Sequence, residues 1–111
     1  MFPVEKQGAV SVVRPQVPIA GDMCQAFANA ALTGLGTGRP MLVVDFHGVP
    51  LVDSAGLETL VELRERLEAR GGAVKLAAVN SLCSDILRVT GVGDRFEQHH
   101  QVKSAVGSFA E

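Results

Sequence analysis

The sequence predicts a small α/β domain built on a mixed, mostly parallel β-sheet that is covered by helices. Short apolar segments rich in β-branched residues alternate with longer segments whose apolar residues recur at helical spacing, a pattern typical of parallel sheets. Two strand-like segments open the chain with no helix between them, which predicts an added antiparallel edge. The 111 residues fit a single domain, residues 1–111, and a hydrophobic content of 47% is enough for a core.

The first part of the chain is predicted to form two strands, a helix and a third strand. The opening strands are Phe2–Lys6 and Ala9–Arg14, and the second contains three valines. Asp22 is a candidate N-cap for the helix that follows, and a glycine-rich stretch at 33–38 ends this helix. The next strand is Met41–Phe46, whose continuous apolar run is typical of a strand buried on both faces.

The remainder is predicted to alternate helix and strand. The helix at Ala55–Arg70 has an apolar inner face, with acidic residues early and arginines late, as the helix dipole prefers. The later elements are a strand at Ala73–Val79, a helix capped by Ser81 that runs to Thr90, a short strand near Arg95–Gln98, and a last helix at about Gln101–Phe109.

The richest chemistry follows the third strand, in the loop that runs from His47 to the start of the long helix. In open α/β sheets, functional residues lie in loops beyond the carboxyl ends of the strands. Ser54 lies at the start of this helix, where free backbone N–H groups accommodate a phosphate. Spacing alone favours the simpler interpretation that Asp53 or Ser54 is an ordinary N-cap, since caps of this kind are common.

The stretch Val49–Leu57, and Asp53-Ser54-Ala55-Gly56-Leu57 within it, resembles the signature of STAS domains, the family of bacterial anti-sigma factor antagonists. In that family the motif also follows an apolar strand and opens a helix. Further similarities are Gly71-Gly72, Val79-Asn80-Ser81 and Thr90-Gly91-Val92, which fall in the same order. The resemblance covers Met41 to the C-terminus, and the first 40 residues by pattern only; it implies a STAS-like fold.

The resemblance also implies a function without catalysis. Ser54 matches the serine that a cognate serine kinase, which is also an anti-sigma factor, phosphorylates in many members. The unphosphorylated protein binds the kinase and frees the sigma factor, so that transcription is controlled through signal transduction; the phosphorylated protein is released. The expected partner-binding residues are Asp22, Val49, Leu51, Asp53, Ser54, Gly56 and Leu57.

The loop after the second strand departs from the family pattern. Members often carry an acidic Gly-Glu-Leu-Asp-like turn there, whereas this chain reads Pro15-Gln16-Val17-Pro18-Ile19-Ala20-Gly21-Asp22. The loop is expected at the same end of the sheet as Ser54, so the departure bears on which partner is bound.

Several other classes of site are disfavoured, and no cofactor is expected. The glycines at 34–38 follow a helix and precede a strand, the reverse of a nucleotide-binding loop. His99 and His100 would point apart in a strand and lack a third metal ligand at a usable spacing. A Ser54–His47–Asp53 triad lacks the nucleophile elbow of hydrolases. Magnesium binding by Asp45 and Asp53 is disfavoured because no pair of acidic residues lies on an earlier strand. Asp45 is instead expected to face local backbone or a basic partner.

Composition and charge limit the partners and the cellular compartment that we expect. A net charge of −2 disfavours nucleic acid, which needs a concentrated basic face. The longest clean apolar run, Met41–Val44, is far too short for a membrane, and no signal architecture precedes it, so a cytoplasmic protein is expected. Cys24 and Cys83 are expected to be reduced core residues, and nothing in the sequence demands more than a monomer.

Two alternatives to the switched antagonist stay open. One is a STAS module that serves, without phosphorylation, as a fixed subunit of a lipid transport or signalling assembly. The other is a small enzyme or nucleotide-binding protein that uses the loop around Asp53.

Overall fold

The computed structural model describes residues 1–110 as a five-stranded sheet with helices on both faces. The strands are β1 (Val4–Gln7), β2 (Val10–Val13), β3 (Met41–Asp45), β4 (Ala73–Ala77) and β5 (Glu97–His99), and they lie side by side in chain order. β1 pairs with β2 antiparallel, and all later pairs are parallel. The predicted mixed, mostly parallel sheet is therefore confirmed.

Four helices and one 3₁₀ turn connect and cover these strands. The helices are α1 (Met23–Leu32), α2 (Ser54–Ala69), α3 (Ser81–Thr90) and α4 (Val102–Ser108), and the 3₁₀ turn is Val92–Arg95. The last strand begins two residues later than predicted because this turn takes up Arg95, and the amide of Phe96 still bonds back to Gly93. No helix within residues 1–110 is long and apolar enough to cross a membrane.

The core lies on both faces of the sheet, and alternate residues of each strand point to opposite sides. In β3, Leu42 and Val44 join the larger cluster, which α1, α2 and α3 cover, whereas Val43 joins the smaller cluster under α4. Burial on both faces explains why β3 is a continuous apolar run rather than an alternating one.

Neither of the predicted caps Asp22 and Ser81 makes a side-chain capping bond, although Asp22 does occupy the N-cap position of α1. Asp22 has helical backbone angles and its side chain makes no capping bond; instead the carbonyls of Ala20 and Gly21 accept the first amides of α1. Ser81 is the first residue of α3, and the cap is Asn80, whose side chain accepts a hydrogen bond from the Cys83 amide at 2.8 Å.

Candidate functional site

Ser54 is the first residue of α2, at the end of the sheet where β3 finishes. Its side chain is exposed, and none of the side-chain hydrogen bonds within residues 1–110 uses its hydroxyl. Asp53 immediately before it is the N-cap, so of the two candidate caps the structure assigns this role to the aspartate. The Ser54 hydroxyl is therefore not needed for capping α2.

Asp53 uses both carboxylate oxygens on backbone amides from different parts of the chain. One oxygen accepts from Gly56 in α2 at 2.8 Å, and the other accepts from Gly21 at 3.1 Å. Gly21 lies two residues before α1, so a single carboxylate connects the starts of two helices. Asp53 therefore contacts backbone amides rather than the exposed His47, which it would have to orient in a hydrolytic triad.

Two loops meet beside Ser54: the β2–α1 loop, residues 14–22, and the β3–α2 loop, residues 46–53. Ile19 and Val52 form an isolated parallel bridge. The Ile19 amide donates to the Leu51 carbonyl at 3.0 Å, and the Asp53 amide donates to the Ile19 carbonyl at 3.4 Å. Because the Ile19 side chain is fully buried, the first loop is fixed against the second. The predicted placement of this loop at the Ser54 end is confirmed.

Gly56 is buried where the β2–α1 loop crosses the first turn of α2. A Cβ at this position would lie 1.9 Å from the Ile19 carbonyl oxygen and 2.7 Å from a Val52 methyl carbon. Only glycine fits such a backbone approach. Gly56, which we expected to bind a partner, is thus approached closely by the backbone of this chain itself.

The other predicted partner-binding residues divide by exposure. Asp22 is exposed and Leu51 is 40% exposed, whereas Val49 is 1% and Leu57 8% exposed. Asn80 holds the Val49 carbonyl through a 3.0 Å hydrogen bond from its Nδ2. Val49 and Leu57 thus belong mainly to the core beneath the two loops, although Leu57 also lines a groove that starts at Ser54 and runs along α2.

Asp45 fixes the start of the β3–α2 loop. One oxygen accepts from Arg14 Nε at 3.1 Å and the other from the His47 amide at 2.9 Å. Arg14 also pairs with Glu5, which lowers the pKa of Glu5. Asp45 was expected to face local backbone or a basic partner, and it contacts both a backbone amide and a basic side chain. Residues 1–110 contain no group of three or more side chains suited to hold a metal ion.

Cys83 and Cys24 are free and buried. The Cys83 sulfur lies 3.8 Å from the Val49 carbonyl oxygen, and burial raises the pKa of its thiol. A protonated, enclosed thiol is a poor nucleophile, so Cys83 acts as a small packing residue beneath the β3–α2 loop.

Sequence reasoning missed three residues of this site: Ile19, Gly21 and Asn80. The Ile19 bridge and the Gly21 contact with Asp53 join positions more than thirty residues apart. Local sequence patterns do not predict contacts of this kind. Asn80 had a usable signal, because Asn before Ser at a helix start is a good N-cap.

A model of the STAS domain family matches residues 1–107, and the chain belongs to this family. A candidate anti-sigma factor antagonist from Thermotoga maritima is similar in structure, with a TM-score of 0.88 and 16% identity over 99% of this chain and 95% of that one. An anti-sigma factor antagonist (STAS) domain protein from Planctomyces limnophilus has a TM-score of 0.84 and 21% identity over 99% and 98%.

The anti-sigma factor antagonist SpoIIAA, in its unphosphorylated form, gives a TM-score of 0.74 and 16% identity over 99% of this chain and 96% of its own. No protein of curated function matches the sequence. At these levels of sequence identity, the structural similarity shows that the fold is shared and nothing more.

Proposed function

We propose that this protein is an anti-sigma factor antagonist that binds a serine-kinase anti-sigma factor and is released when that kinase phosphorylates Ser54. In this role it is a monomeric, single-domain, cytoplasmic binding module that controls sigma-factor-dependent transcription without catalysing a reaction. The observation that carries the proposal is Ser54 itself, which is exposed at the start of α2 and whose hydroxyl makes no side-chain hydrogen bond to any of residues 1–110. Membership of the STAS family and the likeness to known antagonists support it.

The surface around Ser54 suits a partner protein. Asp22 and Leu51 are exposed on the two loops beside it, and the groove along α2 offers the apolar side chains of Leu57 and Val61. Asp53 and Gly56 hold this surface in place from within, and Val49 packs beneath it. A partner that covers Ser54 would therefore contact a preformed surface of mixed polar and apolar character.

Phosphorylation acts on this surface through charge. The serine oxygen bonds the γ-phosphorus of ATP while the bond from that phosphorus to ADP breaks, and the hydroxyl proton passes to a base on the kinase. The phosphate adds about −1.5 to −2 charges at neutral pH. Burying that charge at a close-packed interface is costly, and a loss of about 2.7 kcal/mol weakens binding roughly a hundredfold.

The chain contains a matched control for the test. Ser81 follows the cap Asn80 at the first position of α3 and is exposed, as Ser54 follows Asp53 in α2. Candidate serine kinases from the source cell are mixed with the protein and ATP, and intact mass and tryptic fragments are measured. We expect one phosphate on Ser54, absent in Ser54→Ala and retained in Ser81→Ala.

Binding to the same kinase completes the test. Ser54→Asp should abolish the complex while leaving the fold intact, and Ser81→Asp should leave binding unchanged. If no kinase adds a phosphate and the protein instead co-purifies with a transporter ATPase, the fixed-subunit interpretation replaces the switch. Nucleotide binding tighter than about 100 µM together with turnover would favour an enzyme.

A further inference from the structure

The N-cap residues of α2 and α3 are Asp53 and Asn80, and each makes a second hydrogen bond outside its own helix. These second bonds explain why one cap is an aspartate and the other an asparagine. Asn80 accepts from the Cys83 amide and donates through Nδ2 to the Val49 carbonyl. Asp53 accepts from Gly56 and again from Gly21. An amide side chain fits a donor and an acceptor, whereas only a carboxylate accepts with both of its oxygens. A carboxylate is therefore needed at position 53 to accept the second hydrogen bond, which comes from the Gly21 amide of the β2–α1 loop.

The bond to Gly21 is the weaker half of this bridge. It measures 3.1 Å at an exposed position, against 2.8 Å for the part-buried bond to Gly56 inside α2. Gly21 has a positive φ of 51° and no neighbouring atom within 4 Å of a Cβ built on it. Ile19 is anchored separately by its bridge to Val52, and the carbonyls of Ala20 and Gly21 accept the first amides of α1. Loss of the bond to Asp53 would therefore free the Gly21 amide and leave the rest of the loop in place.

We propose that Asp53 transmits the phosphorylation state of Ser54 to the β2–α1 loop by releasing the Gly21 amide. This inference rests on the proposed function and describes how the same site is regulated. A phosphate on the adjacent residue repels the Asp53 carboxylate. The bond from Gly21, the longer and more exposed of the two, is lost first, and the Gly21 amide becomes accessible to water.

The experiment measures amide protons directly. Phosphoserine is encoded at position 54 in one sample and at position 81 in another, and the exchange of each amide with water is followed by ¹H–¹⁵N NMR. We expect phosphate at 54 to raise the exchange rate of the Gly21 amide by about tenfold or more, with little change at Gly56. Phosphate at 81 should leave the Gly21 amide unaffected.

Asp53→Asn provides the second measurement. The variant keeps one side-chain oxygen for Gly56 but has no second acceptor for Gly21, so the Gly21 amide should exchange fast before phosphorylation and no faster after it. An unchanged Gly21 amide in the protein carrying phosphoserine at 54 would overturn the proposal, as would an equal phosphate response in Asp53→Asn. Because the phosphate is built in during synthesis, failure to find a kinase would affect the proposed function and leave this result standing.

Discussion

Two glycines inside helices show how differently single residues depend on their surroundings. A Cβ at Gly56 would overlap the Ile19 carbonyl, whereas one at Gly107, in α4, would meet no atom within 4 Å. Glycine is a poor helix former because it loses more backbone entropy than alanine on folding. The same substitution is therefore expected to have opposite effects at the two positions.

Gly56→Ala should lower the free energy of unfolding by about 2 kcal/mol or more, since backbone must move to admit the methyl group. Gly107→Ala should raise it by about 0.5–1 kcal/mol through helix propensity alone. Urea denaturation of both variants checks this. Equal stabilities would show that the β2–α1 loop moves away from α2 at little cost.

The predictability of residues follows the range of their contacts. The cap at Asp53 was within reach of the sequence because its partner Gly56 is three positions away. Asp22 occupies the N-cap position as predicted but makes no capping bond, because neighbouring carbonyls satisfy the first amides of α1. The bond from Gly21 to Asp53 spans 32 positions, and a pairing over this distance is not predictable from a single sequence.

At the scale of elements, Lys75 fastens α4 to the sheet. It lies on β4 opposite Glu97 of β5, with its ammonium 3.0 Å from that carboxylate. The same ammonium lies 2.6 Å from the Ser108 hydroxyl and 4.2 Å from the centroid of the Phe109 ring. Hydrogen bonds from His99 and then Lys75 lower the pKa of Glu97 from 4.5 to about 2.

This shift gives a pH dependence with a definite sign. A depressed carboxylate pKa contributes stability that is present above the unfolded-state value and is lost as pH falls through the folded-state value. The wild type should therefore be more stable than Glu97→Gln near neutral pH, and the difference should disappear as pH falls from 4.5 to about 2.

Thermal unfolding across this range at low and high salt measures the effect. Because Glu97 is about half exposed, salt should reduce the difference. A difference that persists unchanged at the lowest pH would mean that the glutamate acts through packing rather than charge.

Elements were predictable where their pattern was long or strongly apolar. The run at Met41 and the periodic helix ending near Gly71 had the expected type within one or two residues. The 3₁₀ turn Val92–Arg95 was missed because four residues carry no periodicity, and because Gly91, with a φ of 77°, ends α3 without indicating the conformation of the next residues.

At the scale of the whole molecule, the two faces of the sheet are covered unequally. Three helices pack on one face around a large cluster that includes Phe27, Phe46 and Leu60. On the other face α4 contributes a single fully buried side chain, Ala105, while Val102, Val106 and Phe109 are partly buried. The sequence predicted a covered sheet, but which helix covers which face depends on crossovers that no local pattern encodes.

This asymmetry predicts that α4 opens separately from the rest of the molecule. Because α4 has seven residues and few buried apolar contacts, detaching it from the sheet requires little free energy. Opening β3, in contrast, would disrupt both clusters. In native-state hydrogen exchange, the amides of α4 should open with a free energy at least about 2 kcal/mol below that of the β3 amides. Lys75→Met should lower the value for α4 further and leave α2 unchanged. Exchange of α4 with the same free energy and the same urea dependence as β3 would show instead that the sheet and all its helices unfold as one unit.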